Sequence, residues 1–132
     1  MRRIVCAFAA LAAVVAVSAA NSADAPQVMR KPLLQHDATN AGQTFQLIDV
    51  VIPVGGREGK HTHPGDLIAY VESGDVTLFY DGEPNKSYKA GESFFIPAGH
   101  VHEGINMGSA PVHVIASYIG PKGQPITTQV DK

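Results

Sequence analysis

Three of the six histidines in this 132-residue sequence are spaced in a way that suits metal chemistry. His61 and His63 are separated by one residue. On a β-strand, residues i and i+2 face the same side, so both imidazoles can reach one ion at about 2.0–2.1 Å. His102 follows a turn that Pro97 and Gly99 favour, because proline fixes the backbone and glycine allows unusual dihedral angles. The pattern predicts a three-imidazole metal site with open coordination positions.

The other histidines, and one glutamate, give weaker indications. His100 lies two residues before His102 but close to the turn, and is expected to be an exposed loop residue. His113 alternates with valines that look buried and should face solvent, and His36 has no motif around it. Glu103 is adjacent to His102 and should therefore point to the opposite side of the strand. The alternative interpretation of the three candidate ligands is that they are surface or core histidines without a ligand role.

Short strands separated by turns are expected to position these residues. Six segments are rich in β-branched and aromatic residues and are bounded by glycine, aspartate or serine. They are residues 44–52, 67–72, 76–80, 87–90, 93–97 and 112–119. No window outside the N-terminal region shows a helical period. The pattern predicts an all-β sandwich or barrel.

The first 20 residues are typical of a secretory signal peptide. Two arginines precede an uncharged apolar run over residues 4–17, and small residues follow it. This run is shorter than the ~20 apolar residues that span a membrane, so no stable membrane anchor is expected after cleavage. Cleavage after Ala19 or Ala20, with Ala23 as the alternative site, would give a periplasmic or secreted protein. It would also remove Cys6, the only cysteine, and with it any disulfide or thiolate chemistry.

One domain is expected in the remaining chain. We divide it into an extended N-terminal arm (21–42), a core domain (43–120) and a C-terminal tail (121–132). Without the signal peptide, 8 Lys and Arg face 12 Asp and Glu, a formal charge of −4. The basic residues form no patch, which argues against nucleic-acid binding.

Two spaced motifs resemble those of the cupin family, the small double-stranded β-helix or jelly-roll barrels. Their matching positions are Gly55, His61, His63 and Gly74 in the first motif, and Gly91, Pro97, Gly99, His102 and Asn106 in the second. The resemblance covers roughly residues 43–119. It implies a barrel fold, a metal site, paired subunits, and oxygen or sugar chemistry. A homodimer formed through the outer strands or through residues 24–42 is the corresponding expectation.

Leu67 is the one departure from the family pattern. Most metal-binding cupins have a glutamate at this spacing, which completes a set of three histidines and one carboxylate. One alternative is that a bulge at residues 64–65 turns Asp66 inward as a substitute. The favoured interpretation is a site of three histidines alone, with Leu67 in the apolar wall. Some cupin dioxygenases use three-histidine iron sites, so the metal need not be lost.

A site without a carboxylate favours particular metals and ligands. Imidazole suits Fe, Ni, Cu and Zn, whereas Mn is less favoured. The uncompensated charge of a divalent ion would attract a small anionic or chelating molecule. The barrel wall is expected to contain Leu67, Phe94, Ile96 and Ile115.

Two functions are compatible with these features. One is an exported mononuclear metal enzyme resembling a dioxygenase. The other is a non-catalytic periplasmic cupin that binds a metal or small ligand as a carrier or sensor. The sequence identifies no general base beside the candidate ligands, and its catalytic residues are unknown.

Overall fold

Two antiparallel β-sheets make up the computed structural model, which describes residues 26–130. No helix occurs within this range. The ten strands are β1 (Met29–Asp37), β2 (Gln43–Ile52), β3 (His61–Thr62), β4 (Asp66–Ser73), β5 (Asp75–Tyr80), β6 (Lys86–Lys89), β7 (Ser93–Ile96), β8 (His102–Ile105), β9 (Val112–Pro121) and β10 (Thr128–Gln129).

Each sheet has five strands. The first sheet has the order β1-β2-β9-β4-β7, and the second has the order β10-β3-β8-β5-β6. The chain passes repeatedly from one sheet to the other, and buried side chains of both sheets form a single apolar core. The all-β prediction and the double-stranded β-helix architecture are therefore confirmed. The six strands predicted from residue patterns are also confirmed, with ends that differ by one or two residues.

Strand β9 shows how the sequence forms the core. Val112, Val114, Ala116 and Tyr118 are buried, and the residues between them are more exposed. This period of two directs alternate side chains to the core and to the outer face. Each fully buried aliphatic side chain stabilises the fold by about 1.5–3 kcal/mol. The expectation that Ile115 lies in the cavity wall is wrong, because the alternation places Val114 and Ala116 there.

Gly74 connects the two sheets between β4 and β5. Its φ of +77° lies in the left-handed region, which side chains with a Cβ rarely adopt. A Cβ at this position would also lie 2.7 Å from the carbonyl oxygen of Pro111. Both constraints require glycine, and this turn carries the chain directly from the first sheet into the second.

Both ends of the described chain add strands to the barrel. β1 lies in the segment predicted as an extended arm and pairs with β2 along most of its length. β10 lies in the predicted tail and pairs with β3. The predicted signal peptide, residues 1–20, falls outside the described residues. In the range 26–130, no helix is long and apolar enough to cross a membrane.

Candidate metal centre

Two neighbouring strands of the second sheet carry the three candidate ligands. His61 in β3 lies directly opposite His102 in β8. Facing residues of an antiparallel pair have Cβ atoms only about 4.5–5.5 Å apart. His63 follows β3 by one residue, and the alternation returns its side chain to the cavity. All three side chains are buried, with 2–6 % of their surface exposed.

The geometry of the three rings fits one metal ion. Their centroids are 4.3–4.9 Å apart. One potential ligand atom from each ring lies within 4.8 Å of those from the other two. Nitrogens bound to one ion at about 2.1 Å lie at most ~4.2 Å apart, so small ring movements would complete the set.

Hydrogen bonds to backbone carbonyls orient the rings. His61 Nδ1 donates to the carbonyl of Gly59 at 2.7 Å, and His102 Nδ1 donates to that of His100 at 3.0 Å. His63 Nδ1 donates to the carbonyl of Ile126. Because a carbonyl oxygen only accepts, each Nδ1 carries the proton and each Nε2 keeps a free lone pair. This is the usual state of metal-binding imidazoles.

Burial favours the neutral form of two of these imidazoles, His63 and His102. It is the main reason that the pKa of His102 falls to about 3, and it also lowers the pKa of His63. The neighbouring histidines act in the same direction, since a positive charge on one ring disfavours protonation of the next. At neutral pH the lone pairs of His63 and His102 are therefore available to a metal without the loss of a proton.

The turn after β7 is hydrogen-bonded to the backbone of His63. The amide of Gly99 donates to the carbonyl of His63 at 2.8 Å. Gly99 has a φ of +78°, which explains the need for glycine there. The carboxylate of Asp66 accepts a hydrogen bond from the amide of Ala98 at 3.0 Å and fixes the same turn.

Leu67, and not Asp66, faces the cavity. Leu67 is buried and lines the cavity with the three histidines, whereas Asp66 is exposed. The backbone follows a regular register here, in which Asp66 lies opposite Ile119 in β9. Gly65 packs so closely on β9 that a Cβ would lie 2.1 Å from the carbonyl oxygen of Ile119. The bulge that would turn Asp66 inward is absent, and the wall is apolar at this position.

The remaining sequence-predicted residues lie away from the centre. His36 and His100 are exposed, and His113 lies on the outer face, 3.9 Å from a carboxylate oxygen of Asp49. Glu103 points away from the cavity as expected, but it is unexpectedly buried. Arg57 covers it with two hydrogen bonds of 2.8 and 2.9 Å, and this contact is the main reason that the pKa of Glu103 is lowered.

The cavity in front of the histidines is small and mainly apolar. Its volume is about 60 Å³, which holds about four water molecules. The apolar lining comes from both sheets and includes Leu67, Phe94 and Ile96, as expected. The walls would exclude bulk water and strengthen electrostatic interactions at the histidines.

Two charged cavity residues were missed by the sequence interpretation. Arg30 in β1 and Glu58 in the loop before β3 both line the cavity. Arg30 Nη2 donates to Glu58 Oε1 at 2.8 Å, and the amide of Gly104 donates to Glu58 Oε2 at 3.0 Å. Glu58 lies only three residues before His61, so its proximity to the motif was a local signal. No sequence motif surrounds Arg30, because only the pairing of β1 with β2 brings this residue to the site.

Comparisons with known proteins agree with this architecture. A cupin-like protein from Thermotoga maritima is 26 % identical, with a TM-score of 0.62, over 80 % of this chain and 77 % of its own. An oxalate oxidase solved with the substrate analogue glycolate is 24 % identical, with a TM-score of 0.65. A DMSP lyase from Ruegeria pomeroyi is 18 % identical, also with a TM-score of 0.65.

The extent of these matches differs. The oxalate oxidase match covers 83 % of this chain, and the lyase match covers 78 %. The chain spans only 57 % of the oxidase and 51 % of the lyase. At these identities, both likenesses concern the fold alone. No curated protein matches the sequence. Residues 48–118 match the Cupin domain family, and the chain therefore belongs to the cupin family.

Proposed function

We propose that this chain is an exported cupin that binds one divalent metal ion through His61, His63 and His102 and acts as a mononuclear, dioxygenase-like metal enzyme. One observation carries the metal site: all three Nδ1 atoms are bound to backbone carbonyls, which leaves each Nε2 lone pair free, in a cluster where one ligand atom per residue lies within 4.8 Å of the others. The donor set fits Fe, Ni, Cu or Zn better than Mn, because it contains nitrogen and no carboxylate.

The surroundings favour a small, anionic or chelating substrate. With Leu67 in the wall, the candidate ligands are three histidines and include no carboxylate. The ligands themselves therefore do not offset the charge of a divalent ion. Such an ion would polarise bound oxygen atoms and, if redox-active, exchange electrons with a bound substrate. The apolar walls would orient the substrate and exclude water.

A second function is a non-catalytic metal or small-ligand carrier. The observation that favours it is the size of the cavity, since about 60 Å³ is far below the roughly 300–1,000 Å³ of typical ligand pockets. An ion and a few water molecules would fill it. Oxygen uptake separates the two functions, because a carrier binds metal without consuming oxygen.

The decisive experiment combines metal analysis with substitution of the ligands. His61→Ala, His63→Ala and His102→Ala should each lower metal affinity by orders of magnitude and retain an all-β circular dichroism spectrum. The matched controls are His36→Ala and His113→Ala, which alter histidines outside the cavity. Protein from the native compartment should contain one metal ion per chain and consume oxygen with a short 2-hydroxy or 2-oxo acid. Equal metal loss in both groups of variants would refute the site.

We also propose that the protein forms a homodimer through the outer face of the first sheet. Large apolar side chains are exposed there on adjacent strands: Ile68 lies beside Phe95, and Tyr70 follows on the same face. Phe45 extends the exposed apolar surface on β2. Apolar surface of this kind is commonly covered by another protein surface.

A further inference from the structure

We propose that Arg30 is the anchor for the anionic group of the ligand and that Glu58 holds its guanidinium at the cavity. This inference rests on the proposed function, because it requires a ligand that binds the metal. The anionic group of that ligand would make a second contact, with Arg30. Arg30 is the only cationic side chain among the described cavity-lining residues. Apart from the histidines, the charged lining consists of Arg30 and Glu58 alone.

Glu58 is the fixed member of this pair. Its backbone amide donates to the carbonyl of Gly104 at 3.0 Å, and its Oε2 accepts from the Gly104 amide at the same distance. Gly104 lies in β8, two residues after His102. A Cβ on Gly104 would lie 2.6 Å from Glu58 Oε2, which shows how closely the carboxylate packs on the strand. The position of Glu58 is therefore tied to the strand that carries a candidate ligand.

Arg30 has donors left for a ligand. A guanidinium offers five N–H groups, and the side chain of Arg30 uses Nη2 to bind Glu58. Its side chain is 35 % exposed, against 14 % for Glu58. The pair therefore lies between the solvent and the buried histidines. Arg30 can bind a carboxylate without releasing Glu58, because its planar fork presents several donors at once.

The size of the cavity makes this second contact relevant. A volume of about 60 Å³ holds an ion and only a few further atoms. A short acid bound at the histidines would extend toward the polar side of the cavity, where Arg30 and Glu58 lie. The remaining wall is largely aliphatic and offers no other positive charge. The ligand class is therefore a short carboxylate with a second oxygen for the metal, such as a 2-hydroxy acid.

The test compares two probes that differ mainly in charge. Glycolate and glycolamide have similar size and the same hydroxyl group. Their binding to Co²⁺-loaded protein is measured by calorimetry and by the visible spectrum of the metal. Arg30→Gln should weaken glycolate binding by about 10- to 100-fold, because it removes a charge-assisted hydrogen bond, and should change glycolamide binding by less than about threefold. Arg30→Lys should be intermediate, since lysine keeps the charge but lacks the fork.

A double substitution separates direct binding from simple neutralisation of Glu58. If Arg30 binds the anion, Arg30→Gln with Glu58→Gln should bind glycolate at least about tenfold more weakly than Glu58→Gln alone. If Arg30 only neutralises Glu58, the double variant should bind glycolate as tightly as the parent, and the inference is overturned. Arg57→Gln is the matched arginine control, because Arg57 contacts Glu103 outside the cavity.

The possible failures are distinguishable. If metal-loaded parent protein does not bind glycolate, or binds it as weakly as glycolamide, Arg30 is not an anion anchor. The proposed metal site is not affected by that result. The same holds if Arg30→Gln and Arg57→Gln have equal effects. Parent protein that binds no metal overturns both the proposed function and the anchor.

Discussion

Replacing Leu67 with glutamate tests whether a carboxylate at this position of the cavity wall can bind the proposed metal ion together with the three histidines. Leu67 lies on β4, faces the cavity and is only 7 % exposed. Leu67→Glu should therefore place a carboxylate beside the proposed ion. The added negative charge should favour a harder cation, so the affinity for Mn²⁺ relative to Zn²⁺ should rise by about tenfold or more.

Without metal, the same substitution should be costly. Glutamate is about as large as leucine and leaves no cavity, so the loss of apolar burial costs about 1.5–3 kcal/mol, and an unpaired buried carboxyl group adds about 2 kcal/mol. We expect the free energy of unfolding to fall by about 4 kcal/mol or more. A ligand at 1,000 times its Kd restores about 4 kcal/mol, so saturating metal should largely rescue the variant.

Two controls isolate the role of position 67. Val71→Glu buries the same charge on the same strand but outside the cavity lining, so it should destabilise the protein without rescue by metal. Leu67→Gln has nearly the size of the glutamate variant but no charge, and should leave metal preference unchanged. The assays are denaturant unfolding with and without metal, and competition between Mn²⁺ and Zn²⁺. Equal rescue of Leu67→Glu and Val71→Glu would refute the reasoning.

Three further predictions concern acid stability, processing and assembly. In the metal-free protein, the lowered pKa values of His63 and His102 mean that the unfolded chain binds more protons below pH 6.5. Stability should therefore fall as the pH drops below 6.5, by up to ~1.4 kcal/mol per pH unit from His102 until the pH reaches about 3, and the lowered pKa of His63 should add to this loss. Flat urea midpoints over that range would contradict this. Mass spectrometry of exported protein should find a first residue between positions 20 and 24, and an intact Met1 would exclude the signal peptide. Ile68→Glu should convert a dimer into a monomer in light scattering, whereas an unchanged mass would place the interface elsewhere.

The barrel strands could be predicted because their residues alternate. β4 and β9 bury every second side chain, and this period is visible in the sequence. The convergence of His61 and His63 follows from the same rule. β1 is different: all nine residues are exposed, so the strand has no buried face to produce a pattern. Its pairing with β2 depends on backbone hydrogen bonds, which leave little trace in side-chain type.

The surroundings of the candidate ligands could not be predicted in the same way. Arg30 and Glu58 are 28 residues apart, and only the barrel brings them together. The partners of the three Nδ1 atoms are main-chain carbonyls, which every residue possesses. The burial of Glu103 depends on the loop that carries Arg57. These features arise from tertiary contacts, and single-sequence periodicity does not contain them.

The contact between His63 and the Ile126 carbonyl links metal binding to the order of a distant segment. Ile126 precedes β10, which pairs with β3, and the amide of Val130 donates to the Lys60 carbonyl. An interaction that fixes the orientation of the His63 ring, such as metal binding, therefore also stabilises the position of residues 126–130 against β3. By reciprocity, bound metal should slow amide hydrogen exchange in this segment, and detachment of the segment should weaken metal binding by the same free energy. The segment thus acts as a thermodynamic reporter of occupancy at a site to which it contributes no side-chain ligand.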